Sequence, residues 1–401
     1  MLRFGMLMDK ATRSNFRFEL AASVLFSFFN VVFNQFYVPV AILQGASDFQ
    51  VGLLMASPAI GLLFSPLWAN FSEYGNPKYF VIFPNLAARL LLMLPALFIS
   101  PWMFVAVALL FQLFMGIQAP AYAALIPRIY PAELRGRLMG NVRVAAVAFM
   151  IPLAYIVGKW IDVSGPSGPF LFAAVTGAAS VLLFFPMKEI IPTDRPKRKT
   201  REKLRQKLAD VKKNKPLVFY LAATMLTGFG NTVAAPLYQI MQVDKLHLSS
   251  LEIGYTRVTY YVCLLLAYLA LGWVIDKFSA QRALFIGYGA CSSIPLLYGL
   301  IGNYPAVLVG CGLQGFSDAT WDIVAMANIF RLAPGKEASV FGIYLLLFGF
   351  RGTIGPLLST GLTHTVSLPV ILLAAAALCW SGFFLLFKNE KKLPRTASFG
   401  V

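Results

Sequence analysis

The sequence predicts an all-α integral membrane protein with 12 transmembrane helices in two six-helix pseudo-repeats. Of its 401 residues, 58% are hydrophobic and 13% are charged, with a mean hydropathy of +0.71, whereas soluble chains contain about 25% charged residues. The apolar residues fall into runs that reach the ~20 residues a helix needs to cross a bilayer. A basic segment divides these runs into two halves of similar length.

Twelve apolar runs are candidate spans. Several exceed 25 residues, which predicts tilt or helix extending past the bilayer. Prolines inside them are compatible with spans, because neighbouring helices can satisfy the freed carbonyls. The runs cover residues 16–43, 48–72, 77–99, 101–128, 137–163, 167–187, 216–243, 249–276, 280–301, 304–332, 337–361 and 366–388.

The segment 188–215 separates the halves. It holds twelve Lys or Arg and four Asp or Glu, so it carries about half of the net charge of +17. Such a basic, proline-containing stretch predicts a cytoplasmic linker between an N-terminal bundle, 1–187, and a C-terminal bundle, 216–401, that ends in a short basic tail. Its sequence EKLRQKLADVKK fits either an amphipathic helix on the inner leaflet or a solvated linker.

Basic residues also mark one side of the predicted bundle. By the positive-inside rule, this side is cytoplasmic, which places both termini in the cytoplasm and the chain in the cell membrane. The opposite loops hold little beyond Lys245, and this distribution excludes nucleic-acid binding as the reason for the basic charge. The residues on the cytoplasmic side are Arg3, Lys10, Arg13, Arg17, Lys78, Arg128, Arg135, Arg137, Lys277, Arg282, Arg331, Lys336, Lys388, Lys391, Lys392 and Arg395.

The sequence offers no pattern for a cofactor, a metal or an enzyme. Its four cysteines lie in apolar runs without C-x-x-C spacing, as expected of small buried side chains. His247 and His364 stand alone, so we predict no metal site. The sequence has no phosphate-binding G-x4-G-K-[ST] loop and no hydrolase motif. We therefore expect an energy source in a gradient and no enzymatic activity.

The two halves resemble each other at an offset of about 202 residues. Ser47-x4-Gly52 opens the second run, and Ser249-x4-Gly254 opens the eighth. Arg128-x2-Pro131 follows the fourth run, and Arg331-x2-Pro334 follows the tenth. Parallel repeats of this kind are typical of transporters whose substrate site lies between the halves near the bilayer midplane.

The loop between the eighth and ninth runs resembles the cytoplasmic loop motif G-x3-D-[RK]-x-G-x-[RK] of the major facilitator superfamily. Here Ser279 replaces the second glycine, and the last base comes one position late. In the corresponding loop of the first half, Asn70, Tyr74 and Pro77 occupy the positions of the first Gly, the Asp and the second Gly. Only Lys78 retains the basic character of the motif, and Glu73 can stand in for the acid. The residues that carry the resemblance are Gly272, Asp276, Lys277 and Arg282.

An acid at a helix end can accept hydrogen bonds from a neighbouring helix N-terminus and pair with a base. The resemblance implies that such contacts hold the cytoplasmic side closed, so that breaking them opens it. The alternative is that Asp276 and Arg282 only cap helices and obey the positive-inside rule.

Two acids lie near mid-depth in the tenth run. Asp318 and Asp322 are four residues apart and share one helix face with Gln314, and Trp321 borders that face. Two carboxylates close together in a low dielectric repel each other, which favours proton uptake by one of them. The pair therefore predicts proton coupling, an ion pair with Arg351, or direct substrate binding.

Three arginines lie inside predicted spans, where ionisable groups are costly and usually functional. Arg351 could neutralise Asp318, which we favour, or bind an anionic substrate. Arg257 is a candidate substrate-binding residue, and Glu252 is too far around the helix to pair with it. Arg89, one turn after Asn85, fits a structural role.

Most mid-depth amides lie in the first, fourth, seventh and tenth runs, which the resemblance implies line a central cavity. Interhelical hydrogen bonds without a ligand are the alternative. Phe26, Phe33, Tyr37 and Tyr238 could add an aromatic wall. The candidate amides are Asn30, Asn34, Gln35, Gln112, Gln118, Asn231, Gln239 and Gln314.

The resemblance implies a secondary transporter that works by alternating access as a monomer in the lipid bilayer. Short external loops and a mostly uncharged, aromatic cavity favour proton-coupled export of a small organic molecule. The alternatives are an uptake carrier for a small metabolite or anion, a sensor or scaffold that does not transport, and a membrane enzyme that uses Asp318 and Asp322.

Overall fold

The computed structural model describes residues 8–74, 76–190, 211–277, 280–325, 328–329, 332–334 and 337–388. Its helices are numbered α1 to α12 in chain order, and four of them include a π-helical turn. The helices are α1 (Lys10–Val31, a π-turn Val32–Phe36, then Tyr37–Leu43), α2 (Asp48–Tyr74), α3 (Pro77–Leu90, then Met93–Leu97), α4 (Pro101–Ile129), α5 (Ala132–Ser164), α6 (Ser167–Leu182), α7 (Lys215–Ile240, then the π-turn Met241–Lys245), α8 (Ser250–Lys277), α9 (Ala280–Leu296, then the π-turn Leu297–Ile301), α10 (Tyr304–Thr320, then the π-turn Trp321–Ala325), α11 (Glu337–Leu362) and α12 (Leu368–Lys388).

The predicted all-α membrane fold is confirmed. Within the described residues, nine helices are long and apolar enough to cross a membrane, and Asp48–Phe64 and Ser167–Leu182 are shorter apolar helices. Each of the twelve predicted runs overlaps one of the numbered helices, and part of the end of the tenth run (326–327 and 330–331) lies outside the described residues. The number of helices that actually span the bilayer stays a prediction.

Proline explains two of the differences from the predicted bounds. Helix α5 begins at Ala132 rather than at residue 137, directly after Pro131, because proline lacks the N–H that a helix start leaves unpaired. Helix α6 ends at Leu182 rather than at residue 187, and a turn leads to Pro186. A residue before proline is disfavoured in the helical conformation.

The repeated serine motifs form matching helix starts. The Ser47 N–H donates to Gln50 Oε1 at 2.8 Å, and the Gln50 N–H donates to Ser47 Oγ at 3.4 Å. The Ser249 N–H donates to Glu252 Oε2 at 2.8 Å, and the Glu252 N–H donates to Ser249 Oγ at 3.2 Å. Both are capping boxes, which satisfy two helix-end donors reciprocally.

The chain forms two compact units. The first consists of residues 1–45 and 60–199, and the second of residues 46–59 and 200–401. In the first unit, α1 packs against α5 and α6, and α3 packs against α4. In the second unit, α7 packs against α11 and α12, and α8 packs along α10.

The first part of α2 belongs to the second unit, where it packs against α11. A Cβ atom at Gly52 would lie 3.3 Å from Cβ of Thr360 and 3.3 Å from the carbonyl oxygen of Pro356. The Thr363 hydroxyl donates to the Asp48 carboxylate in the same region. Glycine is therefore what lets the two helix backbones approach here.

Candidate functional site

Each acid of α10 is hydrogen-bonded to a tyrosine of α8. Tyr260 Oη donates to Asp318 Oδ2 at 2.9 Å, and Tyr268 Oη donates to Asp322 Oδ2 at 2.6 Å. Asp318 is half-buried, and Asp322, in the π-turn that ends α10, is exposed. The close packing of α8 along α10 brings these pairs together, so the acids have neutral hydroxyl partners.

Arg351 of α11 is buried against α7 rather than beside the acids. Its Nη1 donates to the backbone carbonyl of Thr224, and its Cζ lies 5.4 Å from the ring of Trp321. Its Nε has no hydrogen-bond partner among the described atoms. The structure thus brings Arg351 to Trp321, but the described residues contain no ion pair between Arg351 and Asp318.

A glycine makes room for this guanidinium. A Cβ atom at Gly228 of α7 would overlap the Arg351 guanidinium and would lie 2.6 Å from its Nε. Interior atoms are packed closely enough that such an overlap requires a side chain or a backbone to move. Gly228 therefore determines where Arg351 sits, which sequence reasoning missed.

Arg257 lies in a buried polar cluster of the second unit. Its Nη2 donates to Gln239 Oε1 at 2.9 Å and to Gln242 Oε1 at 3.0 Å. Its Nη1 lies 3.8 Å from Cys311 Sγ. The structure therefore joins two predicted residues, Arg257 and Gln239, and adds Gln242 and Cys311. The apolar surroundings of Cys311 in the sequence predicted only an inert buried side chain.

Arg89 of α3 is buried among aromatic rings in the first unit. Its Nε donates to Asn85 Oδ1 at 3.0 Å, as the one-turn spacing suggested. Its Cζ lies 4.1 Å from the ring centroid of Phe26 and 4.2 Å from that of Phe29. Cation–π contacts of this kind stabilise a desolvated guanidinium.

The other candidate amides are divided between the units. Asn34 is exposed, and the remaining seven are half-buried. The backbone of Gln112 packs closely against Gly61 of α2. A cavity lined by these residues stays a prediction. The first unit holds Asn30, Asn34, Gln35, Gln112 and Gln118, and the second holds Asn231, Gln239 and Gln314.

The loop-motif residues are described only in part. Lys277 and Arg282 are exposed at the end of α8 and near the start of α9. Gly272 and Asp276 lie in α8, but their side-chain surroundings are outside the described part, as is Ser279. In the first half, Lys78 Nζ donates to the carbonyl oxygens of Phe185 and Met187, at 2.5 and 2.9 Å.

A further buried acid, which sequence reasoning missed, lies in α1. Glu19 is 2% exposed. Its carboxylate accepts hydrogen bonds from Tyr130 at 2.5 Å and Tyr122 at 2.8 Å. The available signal was a glutamate that follows three basic residues in the same helix. Its burial, however, depends on Tyr122 of α4 and on Tyr130, the residue after α4.

An apolar groove of about 560 Å³ lies between α8 and α10 in the second unit. Its walls include Cys263, Leu266 and Ala270 of α8 and Val309, Gly312 and Phe316 of α10. Leu266 and Val309 are exposed. The groove is therefore chemically distinct from the polar Arg257 cluster.

Comparisons with known proteins agree with the fold. The sequence profile of the Major Facilitator Superfamily matches residues 20–229 and 220–400. The Staphyloferrin B transporter of Staphylococcus aureus (strain NCTC 8325 / PS 47) is 25% identical over 325 residues, which are 78% of this chain and 77% of that protein.

Solved structures of similar fold include the nucleoside transporter NupG, with a TM-score of 0.70, 13% identity and coverage of 96% of this chain and 100% of that one. A bacterial homologue of the human lysosomal transporter Spinster has a TM-score of 0.66, 14% identity and coverage of 95% and 99%. An auto-inhibited peptide transporter of the POT family has a TM-score of 0.70, 11% identity and coverage of 96% and 98%.

Proposed function

Because the chain belongs to the major facilitator superfamily and is a membrane transporter, we propose that it moves a small organic molecule by alternating access, coupled to protons, with export as the favoured direction. The observation that carries the coupling is the set of two α10 carboxylates bound by tyrosine hydroxyls. Asp318 and Asp322 each accept from an α8 tyrosine.

Neutral partners suit a group that gains and loses a proton. A carboxylate bound to arginine leaves an unpaired cation behind when it is protonated, and a buried unpaired cation is costly. A tyrosine hydroxyl can donate to the charged carboxylate and accept from the protonated one. The Asp–Tyr contacts can therefore persist in both protonation states.

The test uses purified protein in proteoliposomes with an imposed pH gradient. A thermal-shift screen of lipophilic cations, neutral drugs and organic anions selects the transported compound, since a ligand at 100 times its Kd adds about 2.7 kcal/mol of apparent stability. The relative from Staphylococcus aureus supports including staphyloferrin B in that screen.

We expect Asp318→Asn and Asp322→Asn to lose gradient-driven accumulation but to keep exchange of labelled for unlabelled compound without a gradient. Asp162→Asn is the matched control, because Asp162 is an exposed acid at the end of α5. Uphill transport by both α10 variants at the rate of the unaltered protein would refute the proton-coupling role.

The direction and the topology belong to the same proposal. The basic segments favour cytoplasmic termini in the cell membrane and six-helix bundles at 1–187 and 216–401. Export and uptake can be distinguished in proteoliposomes in which the orientation of the protein is fixed by protease cleavage at the linker. Proton-driven accumulation only when the linker side is inside would assign uptake.

One observation favours the second candidate, an uptake carrier for a small metabolite or anion. Arg89, Arg257 and Arg351 are each at most 5% exposed, and each has a side-chain nitrogen without a hydrogen-bond partner among the described atoms. Stabilisation by anions rather than cations in the thermal-shift screen would favour this carrier.

A further inference from the structure

We propose that the Arg257 cluster binds the carboxylate group of a small organic anion. The proposal rests on the transport function above and deepens it by naming the chemical class of the substrate. The cluster consists of Tyr238, Gln239, Gln242, Arg257, Tyr298 and Cys311.

Four helices of the second unit build the cluster. Gln239 and Gln242 come from α7, and Arg257 from α8. Tyr298 ends α9 and accepts from Gln242 Nε2 at 3.1 Å, and its hydroxyl lies 3.6 Å from Cys311 Sγ of α10. The amides orient the guanidinium, and the tyrosine orients an amide, so the arginine is held in a single position.

The cluster carries a positive charge that no acid among the described residues neutralises. Arginine has five N–H donors and no acceptor. Nη2 donates to two amide oxygens, but Nε of Arg257 has no partner among the described atoms. The described side chains include no ion pair to Arg257. A cation that is 2% exposed and unneutralised is costly in a membrane protein and marks a ligand site.

A second unsatisfied group lies in the same cluster. The buried Tyr238 hydroxyl has no hydrogen-bond partner in the described part of the chain, and the Tyr238 ring centroid lies 4.4 Å from that of Tyr298. A carboxylate offers two acceptor oxygens, one of which can accept from Nε of Arg257. Charge-assisted hydrogen bonds to arginine are about twice as strong as neutral ones.

The local backbone also points to a binding role. Gln242 and Tyr298 lie in the π-helical turns Met241–Lys245 and Leu297–Ile301. Such turns are rare and occur frequently at functional sites, because the extra residue alters which side chains face inward. Here one of them supplies Gln242, which binds Arg257, and the other supplies Tyr298, which binds Gln242.

Cys311 provides a direct probe, because its Sγ lies 3.8 Å from Nη1 of Arg257. In a full-length variant with Cys263→Ala, Cys291→Ala and Cys379→Ala, it is the sole thiol. We would measure its modification rates by sulfonatoethyl and trimethylammonioethyl methanethiosulfonate, each divided by the rate with free mercaptoethanol. The ratio of the normalised rate of the anionic reagent to that of the cationic reagent does not depend on the reactivity of the thiol itself, because both reagents react with the same thiol.

We expect the anionic reagent to be favoured by at least about tenfold, because an unneutralised charge a few ångströms away attracts one reagent and repels the other. Arg257→Gln should bring the ratio to about one, whereas Arg257→Lys should retain most of the preference. Benzoate should slow the modification, while the neutral isostere benzamide should not.

Several results would overturn the proposal. One is a ratio of anionic to cationic modification that does not change in Arg257→Gln. Another is that neither reagent modifies Cys311 in the native protein although both modify it after denaturation. A third is that Arg257→Gln changes the ratio equally at Cys263 in a matched variant that retains only Cys263. Protection by inorganic phosphate but not by benzoate would replace the carboxylate with another anion.

A second measurement avoids dependence on the cysteine replacements. In protein with all four native cysteines, benzoate should raise the Tm and benzamide should not, and Arg257→Gln should abolish the difference. Equal stabilisation by benzoate with and without Arg257 would also refute the assignment. Neither experiment needs a proton gradient. The proton-coupling proposal can therefore be refuted while the carboxylate site is retained, and the carboxylate site can be refuted while proton coupling is retained.

Discussion

At the residue scale, several buried and half-buried charges of the described helices are held by neutral groups. Glu19 and Asp318 accept from tyrosine hydroxyls. Arg351 donates to a backbone carbonyl, and Arg257 donates to two amides. Neutral partners lower the cost of burial without cancelling the charge. The charges thus stay available to protons and ions, which suits a transporter.

Gly228→Ala should destabilise the protein, because a Cβ atom at this position overlaps the Arg351 guanidinium. Overpacking of this kind costs about 1–3 kcal/mol. We expect a lower Tm in detergent and, in an Arg351→Ala background, a much smaller effect of the same change. An equal loss in both backgrounds would show that Gly228 acts independently of Arg351.

Gly361→Ala is the matched control in α11. A Cβ atom there would have no neighbour within 4 Å, and alanine is a better helix former than glycine, by less in this last turn than the about 1 kcal/mol of a helix interior. This variant should therefore keep or raise the Tm.

At the element scale, helix starts and π-turns place the functional side chains. Three of the four π-turns lie in the second unit, and they carry Gln242, Tyr298 and Asp322. A π-turn shifts every following side chain around the helix relative to a regular α-helix. Periodicity alone therefore misplaces the side chains at these helix ends.

Ser249→Ala should lower the stability by about 0.5–2 kcal/mol, since it removes the N-cap of α8. Glu252→Gln should be nearly neutral, because Gln50 makes the equivalent contact at the start of α2. The melting temperatures of both variants test this. A large loss in Glu252→Gln would mean that its charge, rather than its hydrogen bond, stabilises the helix.

At the scale of the whole molecule, helix α2 is divided between the two compact units. Its residues up to Ala59 belong to the second unit, and those from Ile60 onward belong to the first. The contact of Gly52 with Thr360 is therefore internal to the second unit. In the proposed bundles 1–187 and 216–401, however, Gly52 and Thr360 belong to different bundles, so alternating access predicts that this contact breaks during transport.

A disulfide between cysteines placed at Gly52 and Thr360 should form and stop transport. Their Cβ atoms would be 3.3 Å apart, slightly less than the about 3.5–4.5 Å of a disulfide. Transport by the oxidised Gly52→Cys, Thr360→Cys variant, measured in a background without the native cysteines, should return after reduction. The reduced double variant is the control, and full transport by the cross-linked protein would show that the contact persists throughout the cycle.

The sequence by itself determined the all-α membrane fold, the positions of the helices and the matching helix starts. These features depend on local properties: the length of an apolar run, the hydrogen bonds of the helix itself and a serine with an acceptor three residues later. The hydrogen bond between Asn85 and Arg89 is local in the same sense, because residues one turn apart share a helix face.

Only the tertiary structure decided the partners of the buried charges. Tyr260 and Asp318 are 58 residues apart, and Arg351 and Thr224 are 127 apart. Which faces of two helices meet depends on the packing of both helices, on glycines such as Gly228 and on the π-turns, none of which periodicity reveals. The sequence could therefore identify the charged residues, but their chemistry depends on the neighbours that packing brings to them.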